Sequence, residues 1–435
     1  MSYLHVLEAQ KAVGKTVKLR GWVHRKRESG GIAFIVLRDR TGIMQVAVKK
    51  GSISAAAWKA ASEAVIESSI EVEGTVKTDE RAPTGFELEA KGLKLTNISE
   101  PFPITEYQST ELLLDKRHLW LRSTRMTNIM RLRSHVFRYA RAFMDKHGFY
   151  EITPPLITKA GGETGSSMFE VDYYGQKAYL TESSQLYAEA MIYSLEKVYS
   201  FVPSFRAEKS RTTKHLSEYW HLEPEMAYYT NEQSMKLQEK LVSYVANKLG
   251  EEHADELKAL GVASASLLNI KPPFKRLTYE KMLEVLAEKG RKLNWGDDIG
   301  VDEERLLMAD EEQPVFITYW PRELKPFYMP VNPKDERTVL CSDLQAPHGH
   351  GEIIGGSQRI WRYEEAMERF REVENAKGVK FNLDNYSWYL DLLKYGSVPH
   401  SGFGMGIERA IKWLLNLDHI RDAIPFPRMV NRLAP

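Results

Sequence analysis

Four stretches of this 435-residue chain carry side chains whose types and spacing could do chemistry. The first is Phe205-Arg206-Ala207-Glu208, which opens a polar loop at 209–217 and leads into the strand-like Glu218-Tyr219-Trp220-His221-Leu222-Glu223-Pro224-Glu225. An arginine at a strand end can clamp a phosphate through two parallel N–H bonds, because the planar guanidinium matches two oxygens at once. Arg211, Lys214 and His215 in the loop could reach further phosphates or an RNA end. A surface hairpin with a charged tip would use the same residues and bind nothing. In the second stretch, Asp343 and Glu352 bracket a Gly/His/Pro-rich loop at 345–351. Two carboxylates beside a phosphate site suit Mg²⁺, a hard cation that takes oxygen ligands and enters with the nucleotide. His348 and His350 lie between them, but a His-x-His pair without further ligands does not make a zinc site.

The third stretch is Gly402-Phe403-Gly404-Met405-Gly406-Ile407-Glu408-Arg409. Its spacing approaches the dinucleotide fingerprint G-x-G-x-x-G, but the third glycine is misplaced and no βαβ unit surrounds it. Close backbone packing that delivers Arg409 onto a flat ring or a phosphate fits better, since a guanidinium stacks well on an aromatic face. The fourth is the basic run His24-Arg25-Lys26-Arg27, followed by Phe34 and Gln45 on neighbouring strand candidates. Cations for phosphate, an aromatic to stack a base and an amide to read its edge are the usual kit for single-stranded RNA. A solvated basic loop and a core phenylalanine account for this stretch equally well.

The elements that must position these groups fall into two kinds. Strand patterns at 16–23, 32–37 and 43–48 precede an Ala-rich helical stretch at 54–66, and strands at 70–76 and 86–95 follow. Three strands, a helix and two strands is the order of an OB-fold barrel. Pro101 and Pro103 mark a linker. Beyond it Ile129, Met130, Val136, Phe137, Ala140 and Met144 recur at helical spacing, predicting a long helix at 125–147 that Gly148 ends. Strands are expected at 178–182, 199–205, 220–229, 315–319 and 352–359, several without an intervening helix. That predicts an α+β domain on an antiparallel sheet flanked by helices, not a wound βαβ sheet. Helices are expected at 232–250 and 279–289, the second on a peripheral insertion.

Length and composition bound the alternatives. At roughly 150 residues per domain the chain holds two or three domains. Hydrophobic residues make up 43% and charged residues 27%, which excludes collagen-like and largely disordered chains. The single cysteine, Cys341, allows neither an intrachain disulfide nor a Cys-rich zinc site and favours a reducing compartment. Sixty Lys and Arg stand against 59 Asp and Glu, so the net charge of +1 is silent about nucleic acid. No apolar run approaches the roughly 20 residues of a membrane helix, and the first residues lack a secretory pattern; the expected location is the cytoplasm.

Taken together, these segments resemble class II aminoacyl-tRNA synthetases of the aspartyl/asparaginyl subgroup, over essentially the whole chain. Gly148-Phe149-Tyr150-Glu151-Ile152-Thr153-Pro154-Pro155 looks like the dimer-forming motif 1, Phe205 to Glu225 like motif 2, and Gly402 to Arg409 like motif 3. The resemblance implies an OB-fold anticodon-binding domain at 1–100, a hinge at 101–120 and a catalytic domain at 121–435. It implies a homodimer that uses ATP and Mg²⁺ to form an aminoacyl-adenylate and then charges a tRNA. By family position Arg206 holds the α-phosphate, Glu208 meets the adenine amino group, and Tyr219 and Arg409 sandwich the ring. His215 joins the ATP site, and Asp343 and Glu352 hold Mg²⁺. Glu163, Ser183 and Gln185 line the amino acid's ammonium end. On the barrel, Arg25, Arg27, Phe34, Gln45 and Glu87 become anticodon contacts.

Aspartate and asparagine differ by one group, so the site must differ in charge. Aspartyl members carry Gln-Leu-x-Lys where this chain has Gln185-Leu186-Tyr187-Ala188, and an aspartate in motif 2 where it has Glu223. Arg359 is retained. The resulting expectation is that Arg359 donates to the side-chain carbonyl of L-asparagine and Glu223 accepts from its amide. A bound aspartate would bring two carboxylates together with one cation fewer, a penalty of several kcal/mol and roughly 10²–10⁴-fold in selectivity. The expected partner is tRNA(Asn); the alternative is an aspartate-charging enzyme, possibly one that accepts both tRNAs. A relative that makes free asparagine and a non-enzymatic RNA-binding relative are the other rivals. The intact barrel argues against the first, and the retained Arg206, Glu208, Asp343, Glu352 and Arg409 against the second.

Overall fold

A computed structural model describes residues 2–105, 107–160, 168–210 and 212–435. The chain divides into two compact units, Met1–Leu113 and Leu114–Pro435. In the first, β1 (Thr16–Ser29), β2 (Ile32–Arg38), β3 (Ile43–Lys49), β4 (Ser69–Thr78) and β5 (Phe86–Asn97) close into a barrel in the order β1-β2-β3-β5-β4. Closure leaves no edge strand exposed. Alternate residues such as Leu19, Val23, Ile35, Leu37, Val46, Val72 and Leu88 fill the interior. Gly21 is required where β1 bends against β2, because a Cβ there would run into the Arg38 carbonyl. The helix Ala55–Glu63 is capped by Ser54 and packs Ala57 and Ala61 into the barrel core, small residues that allow a close approach. The basic run at 24–27 is not a loop: it continues β1, which extends to Ser29.

The second unit is built on an eight-stranded sheet. Its strands are β6 (Tyr150–Ile152), β10 (Lys197–Phe205), β11 (Glu218–Ala227), β12 (Lys275–Thr278), β13 (Val315–Thr318), β14 (Cys341–Ala346), β15 (Gly351–Arg359) and β16 (His400–Gly406). A separate three-stranded sheet holds β7 (Ile157–Thr158), β8 (Glu170–Tyr173) and β9 (Gln176–Leu180). The large sheet runs β12-β13-β14-β15-β16-β11-β10-β6. It is mixed rather than wholly antiparallel, because the outermost pairs, β12 with β13 and β10 with β6, are parallel. Each of these pairs is joined by a long connection that includes helix, as parallel neighbours require: Tyr279–Glu288 and Val301–Leu307 in one case, Gln185–Leu195 in the other.

The long helix spans Thr124–Lys146. Ser123 accepts the Met126 N–H at its start, and Gly148, at φ +75°, follows its end. Its buried stripe Met126, Ile129, Leu132, Val136, Ala140 and Phe143 meets the helices Asn231–Glu252 and Ile407–Leu414 and one face of the sheet. The other sheet face is left for chemistry. Among the described residues no helix is long and apolar enough to cross a membrane.

Candidate active site

A cavity of about 330 Å³ lies over that second face. Its floor follows from the alternation of β16. Phe403 and Met405 turn towards the helices and join the core, while Gly402 and Gly406 lie opposite Glu225 and His221 of β11. A Cβ on Gly402 would overlap the Glu225 carboxylate, so only glycine leaves room for that side chain. The spacing that mimics a dinucleotide fingerprint is therefore a strand alternation that hollows out the floor.

One end of the cavity is cationic. Arg206 follows the last residue of β10, and Lys214, His215, Tyr219, Lys325 and Arg409 share the wall with it. Arg409 donates to the Glu352 carbonyl at 3.1 Å. The edge of the Tyr219 ring meets His221 with centroids 5.0 Å apart. A register shift between Leu344 and Gln345 re-aims the hairpin, so that Asp343 and Glu352 converge. A Cβ on Gly355 would lie 3.3 Å from Glu352 Oε1 and 3.7 Å from Asp343 Oδ1. Lys325 donates to Asp343 Oδ2 at 2.6 Å and stands 4.4 Å from the Trp320 ring centre. Burial lifts the Asp343 carboxyl to about 6 against the pull of Lys325. At Glu352, whose side chain is partly exposed, Arg409, Lys325, Arg206 and Lys214 outweigh desolvation and hold the carboxyl below the usual carboxylate range. His215 is pushed down to about 4 by burial and by the cations around it, so its imidazole is neutral at pH 7.

The other end is a fixed polar network. Glu223 is buried and accepts from Ser183 Oγ at 2.5 Å and from the Ser184 N–H at 2.8 Å. Arg359 donates from Nη2 to Glu225 Oε1 at 2.5 Å, from Nε at 3.1 Å, and from Nη1 to Ser357 Oγ at 2.8 Å. Gln185 donates to Glu189 at 2.8 Å, and Tyr389 and His400 hold the other Glu189 oxygen at 2.9 and 3.1 Å. Burial pushes the Glu225 carboxyl up, and the Arg359 guanidinium bonded to both of its oxygens pulls it back down.

Of the residues expected at this site, Arg206, His215, Tyr219, Asp343, Glu352, Arg409, Ser183, Gln185, Glu223 and Arg359 all line the cavity. Glu208 does not; its exposed carboxylate stands 3.9 Å from the Arg206 Nε. Ala188 is buried in an apolar cluster with Ile192, Val198 and Ala227 and is not part of the wall. Arg359 and Glu223 are each already engaged by protein groups, which the sequence reading did not anticipate. Glu163 and Arg211 lie outside the described residues. Sequence reasoning missed Glu182, Glu225 and Lys325 on the wall. Glu225 was within reach, since it stands two residues from Glu223 on one strand face; Lys325 had no local signal.

The barrel brings its candidates into a connected patch on β1, β2, β3 and β5. Arg25 lies opposite Val36, Val36 opposite Gln45, and Gln45 opposite Glu87. Arg27 lies opposite Phe34, with its guanidinium 4.6 Å from the ring centre. Gln45 donates to Glu87 at 2.7 Å. Lys26 leaves the basic run and donates to the Ser62 and Ala64 carbonyls at the end of the barrel helix, at 2.5 and 2.9 Å.

Comparison with known proteins adds independent findings. Residues 109–430 match the family model described as tRNA synthetases class II (D, K and N), and residues 17–96 match the OB-fold nucleic acid binding domain. An asparagine–tRNA ligase of Thermoplasma acidophilum is 46% identical over 425 residues, 97% of each chain. One of Thermococcus gammatolerans is 47% identical over 97% of this chain and 96% of its own. The crystal structure of the asparaginyl-tRNA synthetase from Pyrococcus horikoshii complexed with asparaginyl-adenylate superposes with a TM-score of 0.95. It is 43% identical and covers 100% of both chains.

Proposed function

The chain belongs to the class II tRNA synthetases of the D, K and N group, and we propose that its polar cavity is where it attaches asparagine to its tRNA through an asparaginyl-adenylate. The cationic end takes ATP. Arg206 holds the α-phosphate, His215 and Lys214 reach the outer phosphates, and Tyr219 and Arg409 enclose the adenine, which Glu208 meets at the rim. The asparagine carboxylate attacks the α-phosphorus in line and pyrophosphate leaves. Arg206 stabilises the charge that builds on the phosphoryl oxygens. The 3′-terminal ribose of the tRNA then displaces AMP from the activated carbonyl.

Two carboxylates converging over a glycine suit a hard cation that takes its remaining ligands from phosphate and water. Asp343 and Glu352 would hold Mg²⁺, which when bound neutralises phosphate charge. Lys325 keeps Asp343 aimed by holding its second oxygen.

Asparagine enters the opposite end. Glu163, Ser183 and Gln185 take the ammonium side, Arg359 donates its remaining N–H groups to the side-chain carbonyl, and Glu223 accepts from the amide. The observation that carries this choice is the Arg359–Glu225 pair. The guanidinium charge is already met inside the protein, so an aspartate side chain finds donors but no spare cation. Pyrophosphate exchange tests it: exchange should be fast with asparagine and slow with aspartate, and comparable rates would overturn the assignment.

On the barrel, Phe34 stacks an anticodon base, Arg25 and Arg27 take phosphates, and Gln45, oriented by Glu87, reads a base edge of tRNA(Asn). A homodimer through the motif 1 segment is proposed as well, supported by β6 forming the edge of the sheet with Tyr150 exposed; sedimentation would check it. The cytoplasm, where ATP and tRNA meet the ribosome, is the proposed location.

A further inference from the structure

The histidine- and glycine-rich turn between β14 and β15 takes no part in this chemistry, yet it is tightly placed. The insertion helix Val301–Leu307 lies against it. A Cβ on Gly349 would meet Arg305 at 2.9 Å, and one on Gly351 would lie 2.9 Å from Glu304 Oε2 and 3.2 Å from Lys214 Nζ. The His348 N–H donates to the Met308 carbonyl at 3.0 Å, tying the turn to the end of the same helix. Glu304 itself forms an ion pair with Lys214, and both side chains are nearly enclosed, at 9% and 11% exposure. Lys214 nonetheless lines the cavity. The insertion, the hairpin that carries Asp343 and Glu352, and the motif 2 loop therefore meet at one carboxylate.

We propose that Glu304 is a positioning residue that holds the Lys214 ammonium at the outer end of the cavity as a contact for the β- and γ-phosphates of ATP. The proposal rests on the reading of the cavity as an ATP site. An ammonium has three N–H donors. One is taken by Glu304, and two remain for phosphate oxygens. Lysine is a flexible four-carbon stem whose rotamer freedom must be lost each time a phosphate is gripped. Glu304 removes that freedom before ATP arrives. Its source, a helix peripheral to the sheet, gives the insertion a role in the reaction.

The test is pyrophosphate exchange by the full-length protein, with KM measured separately for ATP and for asparagine. Glu304→Gln keeps the shape of the side chain and removes its charge. It should raise the KM for ATP about tenfold, within the range of couplings between contacting residues, and leave the KM for asparagine within about twofold, both measured well below the temperature at which the variant begins to unfold. Glu304→Asp should recover part of the loss. Lys214→Met should reproduce the effect, and the double variant should be no worse than Lys214→Met alone. An unchanged or lowered KM for ATP would show that Glu304 merely stabilises the insertion or screens the lysine, and would overturn the proposal; so would strictly additive losses in the double variant. A wild-type protein that exchanges no pyrophosphate with asparagine would remove the ATP reading itself, and this proposal with it.

Discussion

At the nucleotide end of the cavity the cations sit on loops and on the first turn of a helix: Arg206 beyond β10, Lys214 in the motif 2 loop, Lys325 in the 320–330 segment, Arg409 after β16. At the amino-acid end the charged groups stand on strands and on one buried helix, joined in one buried network, whereas the paired cations of the first end, Lys214 and Lys325, reach their carboxylates from loops. The difference matches the two tasks. Attracting a polyanion needs positive charge, which acts over several ångströms and can be delivered from loops. Telling an amide from a carboxylate needs each donor and acceptor fixed, because discrimination comes from the buried group a wrong ligand leaves unpaired.

Four experiments would break or sharpen this contrast. The largest effect is expected from Arg206→Ala, which removes charge stabilisation at the reacting phosphorus and should lower the exchange rate about 10²–10³-fold. A loss below about tenfold would show that the reacting phosphate lies elsewhere. Glu225→Gln comes next. It frees the Arg359 charge, so asparagine exchange should fall while the aspartate-to-asparagine ratio of kcat/KM rises by about 10- to 100-fold. An unchanged ratio would mean that charge cancellation does not set specificity. Smaller again is Phe34→Ala, which loses one stacked base and should raise the KM for tRNA by about tenfold. Amino acid activation should be untouched; damage to both steps would point to the fold rather than to base contact. The smallest effect concerns pH. His215, His350 and His419 are each pushed down to about 4 by burial with nearby cations. In the unfolded chain they bind protons near the ordinary 6.5. Between those values the unfolded state holds more protons, so stability should rise with pH from about 4 to about 6.5 and level off above. His215→Asn should flatten that rise slightly, as followed by thermal unfolding.

Ala188 shows what the fold adds to a position picked out by motif comparison. Read along the helix, it stands where a lysine could offer a countercharge to an acidic ligand. In the fold it packs against Ile192, Val198 and Ala227. A lysine there would have to leave an apolar cluster to reach the cavity. The basic run at 24–27 shows the same lesson in reverse. As a cluster it looked uniform, but strand alternation sends Arg25 and Arg27 to the surface and Lys26 to the barrel helix.

The periodicities and motifs of the chain determined much without any coordinates: the five barrel strands with their helix, the long helix closed by Ser123 and Gly148, and most of the basic and acidic side chains that the fold gathers in one cavity. These are local properties, set by side-chain period, capping chemistry and residue type within a few neighbours. Only tertiary structure decided that Glu225 cancels Arg359, that Lys325 aims Asp343, and that Glu304 holds Lys214. Those partners come from segments 18 to 134 residues apart. The free energy of a buried charge depends on what surrounds it after the chain has closed, and no local pattern along the chain carries that information.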